Sequence, residues 1–225
     1  MRKQPLISET LRKGLRLPAA ERRRAVLSAA SRVFAERSFR GATTAEIARA
    51  AGVSEPILYR HFGSKTELFL ACLDDVWTQL RDLLDEAVSS APDPRAAMGA
   101  AAETYMNAKE RVRLIDLWIQ SLTEAVDEPQ IRAFLKRQMR DVHDYFAEAI
   151  RRSQQQAGGV LPDRDAEAEA WIFMAGGLLI TIDRRLGGLL GEDIQRVKRE
   201  RKRWLLGEEA KPEPATQTQS PRGRA

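Results

Sequence analysis

The densest group of chemically capable side chains lies in one short stretch, Thr43 to Lys65. It holds hydroxyls at Thr43, Thr44, Ser54 and Tyr59, a guanidinium at Arg60, an imidazole at His61 and an ammonium at Lys65. Such groups donate hydrogen bonds to phosphate oxygens and base edges. Between them stand Ile57, suited to a thymine methyl, and Glu55, which can accept from a cytosine amino group. Bond-making chemistry has no comparable cluster. The chain contains no Gly-x-Ser-x-Gly, no His-Glu-x-x-His and no Gly-rich phosphate loop, so no enzyme is expected. His143 stands close to Asp144 and Glu148, but the chain has only 2 histidines, and the expectation is a structural role with no metal and no cofactor. The single cysteine, Cys72, rules out an intramolecular disulfide framework and is expected to pack as a small apolar residue.

The elements that must position the donors are short helices. Thr43 followed three residues later by Glu46 predicts a capping box opening a helix over Thr44–Ala51. Gly52 suits a left-handed stop, and Ser54 is expected to cap the next helix, with Pro56 in its first turn. Ile47, Ala48, Ala51, Leu58 and Phe62 supply the inward face. Two short helices around a glycine turn make residues 43–62 a helix-turn-helix, and Ser64 with Glu67 opens a longer helix behind it. Charge agrees with this placement. Residues 1–65 carry 14 basic and 5 acidic side chains, the remainder 23 and 27, within a net charge of +5. A basic third on a mildly acidic body suggests a polyanion-binding module joined to something else.

Along the whole chain the apolar periodicity is helical, and no strand pattern occurs. Helices are expected over 19–37, 44–51, 55–62, 65–90, 95–109, 111–123, 129–156, 163–186 and 192–206, an all-α chain. Its parts are a basic arm (1–18), a DNA-binding domain (19–79), a helical effector-binding and dimerisation bundle (80–206) and a disordered tail (207–225). In the arm, Arg2, Lys3, Arg12, Lys13 and Arg16 are placed to reach DNA beside the helix-turn-helix. The longest apolar run, Ala170 to Ile182, is too short to span a bilayer, and no secretory signal is read, so a cytoplasmic protein is expected.

The run from Ala51 through Gly-Val-Ser-Glu-Pro-Ile-Leu-Tyr-Arg-His-Phe-Gly-Ser-Lys-Thr-Glu-Leu to Phe69 resembles the DNA-binding domain of the TetR family of bacterial transcriptional regulators. Ala29-Ala30, Val33 to Glu36 and Phe39 to Thr44 match the family's first helix and the entry to its second, so the likeness covers about Arg22 to Trp77. The resemblance implies phosphate contacts at Thr44, Ser54, Tyr59, His61 and Lys65, and base selection at Glu55, Pro56 and Ile57, where many relatives carry other residues. It further implies a homodimer on double-stranded DNA with an inverted-repeat operator, most simply a repressor released by a small apolar effector. A constitutive or partner-gated DNA-binding protein is the alternative.

Several aromatic and methionine side chains of the second domain are either core or the lining of the pocket that the resemblance implies. The candidates are Trp77, Tyr105, Met106, Trp118, Phe134, Tyr145 and Trp171. Gly176-Gly177 inside a helix calls for a close helix approach, either across a twofold axis or within the chain. The expected dimer elements are the last two helices, with Met174, Gly176, Gly177, Thr181, Ile194, Val197 and Trp204 at the interface. The fourth helix, leading from the head into the bundle, is expected to carry pocket filling into head spacing.

Overall fold

Capping side chains open four of the nine described helices in the computed structural model, which describes residues 19–157, 159–161 and 163–206. The expected arm, the expected tail and Gly158 lie outside the described residues. Helix α1 (Ala19–Gly41) loses regular geometry at Ser38, φ 63°, one residue beyond its expected end. That kink drops Phe39 against Phe34 and Phe69, with ring centroids 6.2 and 5.0 Å away. Helix α2 (Thr44–Ala51) opens on the complete Thr43–Glu46 capping box and closes on Gly52 at φ 68°. Helix α3 (Glu55–His61) has Pro in its first turn, but Ser54 makes no side-chain cap. The expected Ser54 cap is thus absent.

Helix α4 (Lys65–Ser89) starts where Ser64 accepts the Glu67 N–H at 3.0 Å, while the Glu67 carboxylate takes the Gly63 N–H at 2.9 Å. The bundle follows as α5 (Pro94–Asn107), α6 (Lys109–Asp127), α7 (Pro129–Gln154), α8 (Ala166–Arg185) and α9 (Asp193–Leu205). Asp93 caps α5, and Asp165 caps α8 through the N–H groups of Glu167 and Ala168. Among the described residues there are nine helices and no strand, as expected. Helix α6 runs on to Asp127, past the expected end at Thr123, and α8 starts later than expected because Asp165 is its cap.

Head and bundle share one apolar core, because α4 is buried along its length at Leu68, Phe69, Leu73, Val76, Leu80 and Leu84. Each such side chain contributes about 1.5–3 kcal/mol by leaving water. Cys72 belongs to this core. Its Sγ lies 3.7 Å from the Leu27 carbonyl, and burial pushes the thiol up to about 12, which leaves it neutral and unreactive.

The glycine pair of α8 admits neighbours from the same chain. A Cβ on Gly177 would stand 2.8 Å from the Tyr105 hydroxyl, and one on Gly176 would stand 2.5 Å from Arg201 Nε. Tyr105 is held between Phe146 and Phe173, with centroids 5.2 and 4.9 Å away. Gly177→Ala is therefore expected to lower stability by roughly 1–3 kcal/mol in urea unfolding. Gly99→Ala is the control: its Cβ would meet only Leu206 at 3.9 Å, and the helix gains up to about 1 kcal/mol.

Candidate nucleic-acid interface and ligand cavity

The helix-turn-helix presents its donors on one face because Leu58 and Phe62 are drawn fully inward. That leaves Ser54, Pro56, Tyr59 and Arg60 exposed, with Thr44, Glu55, Ile57, His61 and Lys65 half-buried around them. Thr43 is occupied in capping. Thr44 Oγ1 donates to Glu55 Oε1 at 2.7 Å and lies 3.2 Å from the Tyr59 hydroxyl, so α2 and α3 are joined at their outer rim. The Lys65 ammonium reaches back to the Ala42 carbonyl at 3.2 Å and sits 4.7 Å from the Phe39 ring centre. His61 Nε2 is buried and has no hydrogen-bond partner among the described residues. The structure thus gathers all ten residues expected at DNA onto this helix pair and the start of α4.

The head is fastened to the bundle through α6. Arg40, at the end of α1, donates to Glu124 at 2.7 Å and Asp127 at 2.9 Å, and these carboxylates raise the guanidinium further above its ordinary range. Gln120 reaches the Ala35 carbonyl at 3.5 Å. Near its middle α6 holds Asp116, which takes Arg184 at 2.7 Å and Arg185 at 2.8 Å from the end of α8.

A cavity of about 230 Å³ opens in the bundle. Helix α6 contributes Leu114, Ile115 and Trp118 to its wall, and α7 contributes Gln138, Met139 and Val142. Tyr105 of α5 and Trp171, Met174, Ala175 and Leu178 of α8 complete it. Three of the seven aromatic and methionine candidates, Tyr105, Trp118 and Trp171, therefore line it. The other four do not. Trp77 packs edge-on against Tyr145, whose hydroxyl donates to Asp85 at 2.7 Å, so this pair ties α4 to α7. Met106 turns its sulfur to Arg201, and Phe134 lies under Arg137. No residue of α4 lines the cavity. The expectation that α4 links pocket to head is corrected: α6 touches both, with Trp118 in the wall and Glu124 on Arg40. Sequence reasoning also missed Gln138, whose signal was a lone amide on the otherwise apolar stripe of Ile131, Leu135 and Val142.

Four residues expected at a subunit interface turn inward. Met174 lines the cavity, Gly176 and Gly177 receive Arg201 and Tyr105, and Thr181 accepts from Arg111 at 3.2 Å while only 1% exposed. Trp204 is part-exposed, yet its Nε1 donates to Glu169 at 2.8 Å and Arg164 covers its ring at 3.9 Å. Ile194 and Val197 stay half-exposed. The outward apolar stripe of α8 is instead Ile172, Leu179, Ile182 and Leu186, at helical spacing. His143 is fully buried, stacked on Trp171 at 4.3 Å, and held by Asp144 at 2.9 Å and the Glu167 carbonyl at 3.1 Å, which is the structural role expected of it. Among the described residues His143, Asp144 and Glu167 are close enough to share an ion, but both imidazole nitrogens are already engaged. No described helix is long and apolar enough to cross a membrane.

Residues 26–72 match the family model described as bacterial regulatory proteins, tetR family, and residues 94–176 match the C-terminal model of BetI-type transcriptional repressors. The chain is 40% identical over 129 residues to the transcriptional activator FasR of Mycolicibacterium smegmatis, a match spanning 56% of this chain and 57% of FasR. It is 30% identical over 162 residues to the regulator BetI of Rhizobium meliloti, spanning 71% of this chain and 76% of BetI. A regulator from Saccharomonospora viridis, solved in complex with choline, shares the fold at a TM-score of 0.67 and 24% identity, covering 83% of this chain and 96% of that one.

The rim geometry yields a direct test. Lys65→Met keeps the aliphatic stem over Phe39 and removes the ammonium. Binding to random-sequence duplex should weaken, and the slope of log affinity against log salt should fall by about one unit. Glu55→Gln should strengthen the same binding at low salt, because it removes an anion from the rim while its amide oxygen can still accept from Thr44. Titrations by fluorescence anisotropy check both.

Proposed function

Because the chain belongs to the TetR family of bacterial regulatory proteins, a family of DNA-binding transcriptional regulators without enzymatic activity, we propose that it is a homodimeric repressor released from an inverted-repeat operator by a small, largely apolar ligand. The observation that carries this reading is the double attachment of α6, whose Trp118 faces the cavity while its Glu124 and Asp127 grip the head through Arg40. Filling the cavity displaces the helix that sets the head's position. A helix as short as α3 reads too few bases alone, so two act together in successive major grooves, roughly 34–36 Å apart. The proposed pairing surface is the exposed α8 stripe of Ile172, Leu179, Ile182 and Leu186, continued by Ile194 and Val197 of α9. The C-terminal match to a repressor-type model supports repression over activation.

A ligand acts through its different affinity for the two head positions, and about a hundredfold difference corresponds to about 2.7 kcal/mol of coupling. Footprinting of the intergenic DNA beside the gene should give a protected inverted repeat. Calorimetry of an effector with and without that DNA should show the DNA weakening the ligand by the same factor as the ligand weakens the DNA; equal affinities in both titrations would refute release. Leu179→Glu, at a site exposed in the single chain, should give folded monomers in sedimentation and cost at least tenfold in operator affinity.

A further inference from the structure

We infer that the cavity takes an amphipathic anion, an apolar body carrying a carboxylate, sulfonate or phosphate, with the anion held at the mouth by a ladder of cations on α7. The inference rests on the ligand-gated reading above and names the chemistry of the same site. The inner chamber opens outward into a vestibule of about 700 Å³, with Trp118, Met139 and Trp171 common to both. Along the vestibule stand Arg132, Lys136 and Arg140, four residues apart and therefore on one face of the helix. All three are exposed, and neither chamber has a carboxylate in its lining. Arg132 donates to the Ala125 and Val126 carbonyls at 3.4 Å, while Lys136 and Arg140 have no ion-pair partner among the described residues.

Further in, two polar groups wait without partners. Gln138 is 4% exposed and neither of its amide atoms is hydrogen-bonded, and Trp118 Nε1 is likewise buried and unpaired. A buried amide and indole left unmatched in an apolar wall call for an oxygen on the ligand's body. A quaternary ammonium finds nothing comparable. Trp171 already carries His143 at 4.3 Å and Arg140 at 5.5 Å, and Tyr105 is packed by Phe146 and Phe173 with Arg111 5.6 Å from its ring centre. Two of the three aromatic walls that would cage a cation are thus occupied by the protein's own groups.

The test uses the full-length dimer and three probes of one chain length below their micellar concentrations: decanoate, decanamide and decyltrimethylammonium. Calorimetry should show decanoate bound at least tenfold more tightly than either of the others. Lys136→Gln/Arg140→Gln, both at exposed positions, should weaken decanoate about tenfold or more while leaving decanamide unchanged. Gln138→Leu should weaken decanoate and decanamide together. The inference is overturned if the ammonium or the amide binds as tightly as the carboxylate, if the double variant binds decanoate unchanged, or if no probe binds. Its failure separates from that of the gating reading in a footprinting competition. Decanoate binding that needs the ladder but leaves the footprint intact upholds the ligand class and refutes release, whereas release by the ammonium alone does the reverse.

Discussion

The guanidinium of Arg40 pins the head to α6, beside the apolar core that head and bundle share along α4. Its two carboxylate partners come from the last turn and a half of α6, and Glu124 is nearly buried, so the carboxylate depends on this cation for compensation. The positioning of Arg40 rests in turn on the Ser38 kink, which redirects the chain and seats Phe39 in the core. A backbone excursion, an aromatic contact and an ion pair therefore form one series. Nearer its middle, α6 is held again by Asp116 against two arginines of α8. The cavity-lining residues Leu114, Ile115 and Trp118 stand on either side of this second anchor.

A second constraint is the uncompensated positive charge inside the bundle. Arg111 is 3% exposed and bonds only to the Met106 and Gly177 carbonyls and the Thr181 hydroxyl. Arg201 bonds to the Phe173 carbonyl and the Met106 sulfur. Burial lowers both, Arg201 to about 10. Carbonyl dipoles solvate the two guanidiniums where no carboxylate does. The field behind the inner chamber is consequently positive, of the same sign as the ladder at its mouth, and the chamber is hostile to cations from both directions.

The head was legible in the sequence because its instructions are local. Thr43, Glu46, Gly52, Pro56 and Ser64 each act within four residues of the boundary they set, and the structure uses all five. The cavity was only partly legible, since its wall depends on the register of four helices that no local rule fixes. Trp118 and Trp77 are equally good candidates by type, yet Trp77 is buried in the shared core while Trp118 faces the cavity. Gly176 and Gly177 announced a close approach correctly but not its partner: a side chain from α5 or α9 and a helix from another subunit leave the same mark on the sequence.

The bond from Thr44 to Glu55, with Tyr59 alongside, has a consequence for how the head searches DNA. A hydroxyl already engaged gains little on meeting a phosphate, because one hydrogen bond is exchanged for another. The carboxylate it leaves behind then faces the polyanion. On that reading this pair adds little to contact with an arbitrary duplex. Only a site that offers Glu55 a donor of its own repays the exchange. The pair that joins α2 to α3 would then act as a filter against sequences that offer Glu55 no donor.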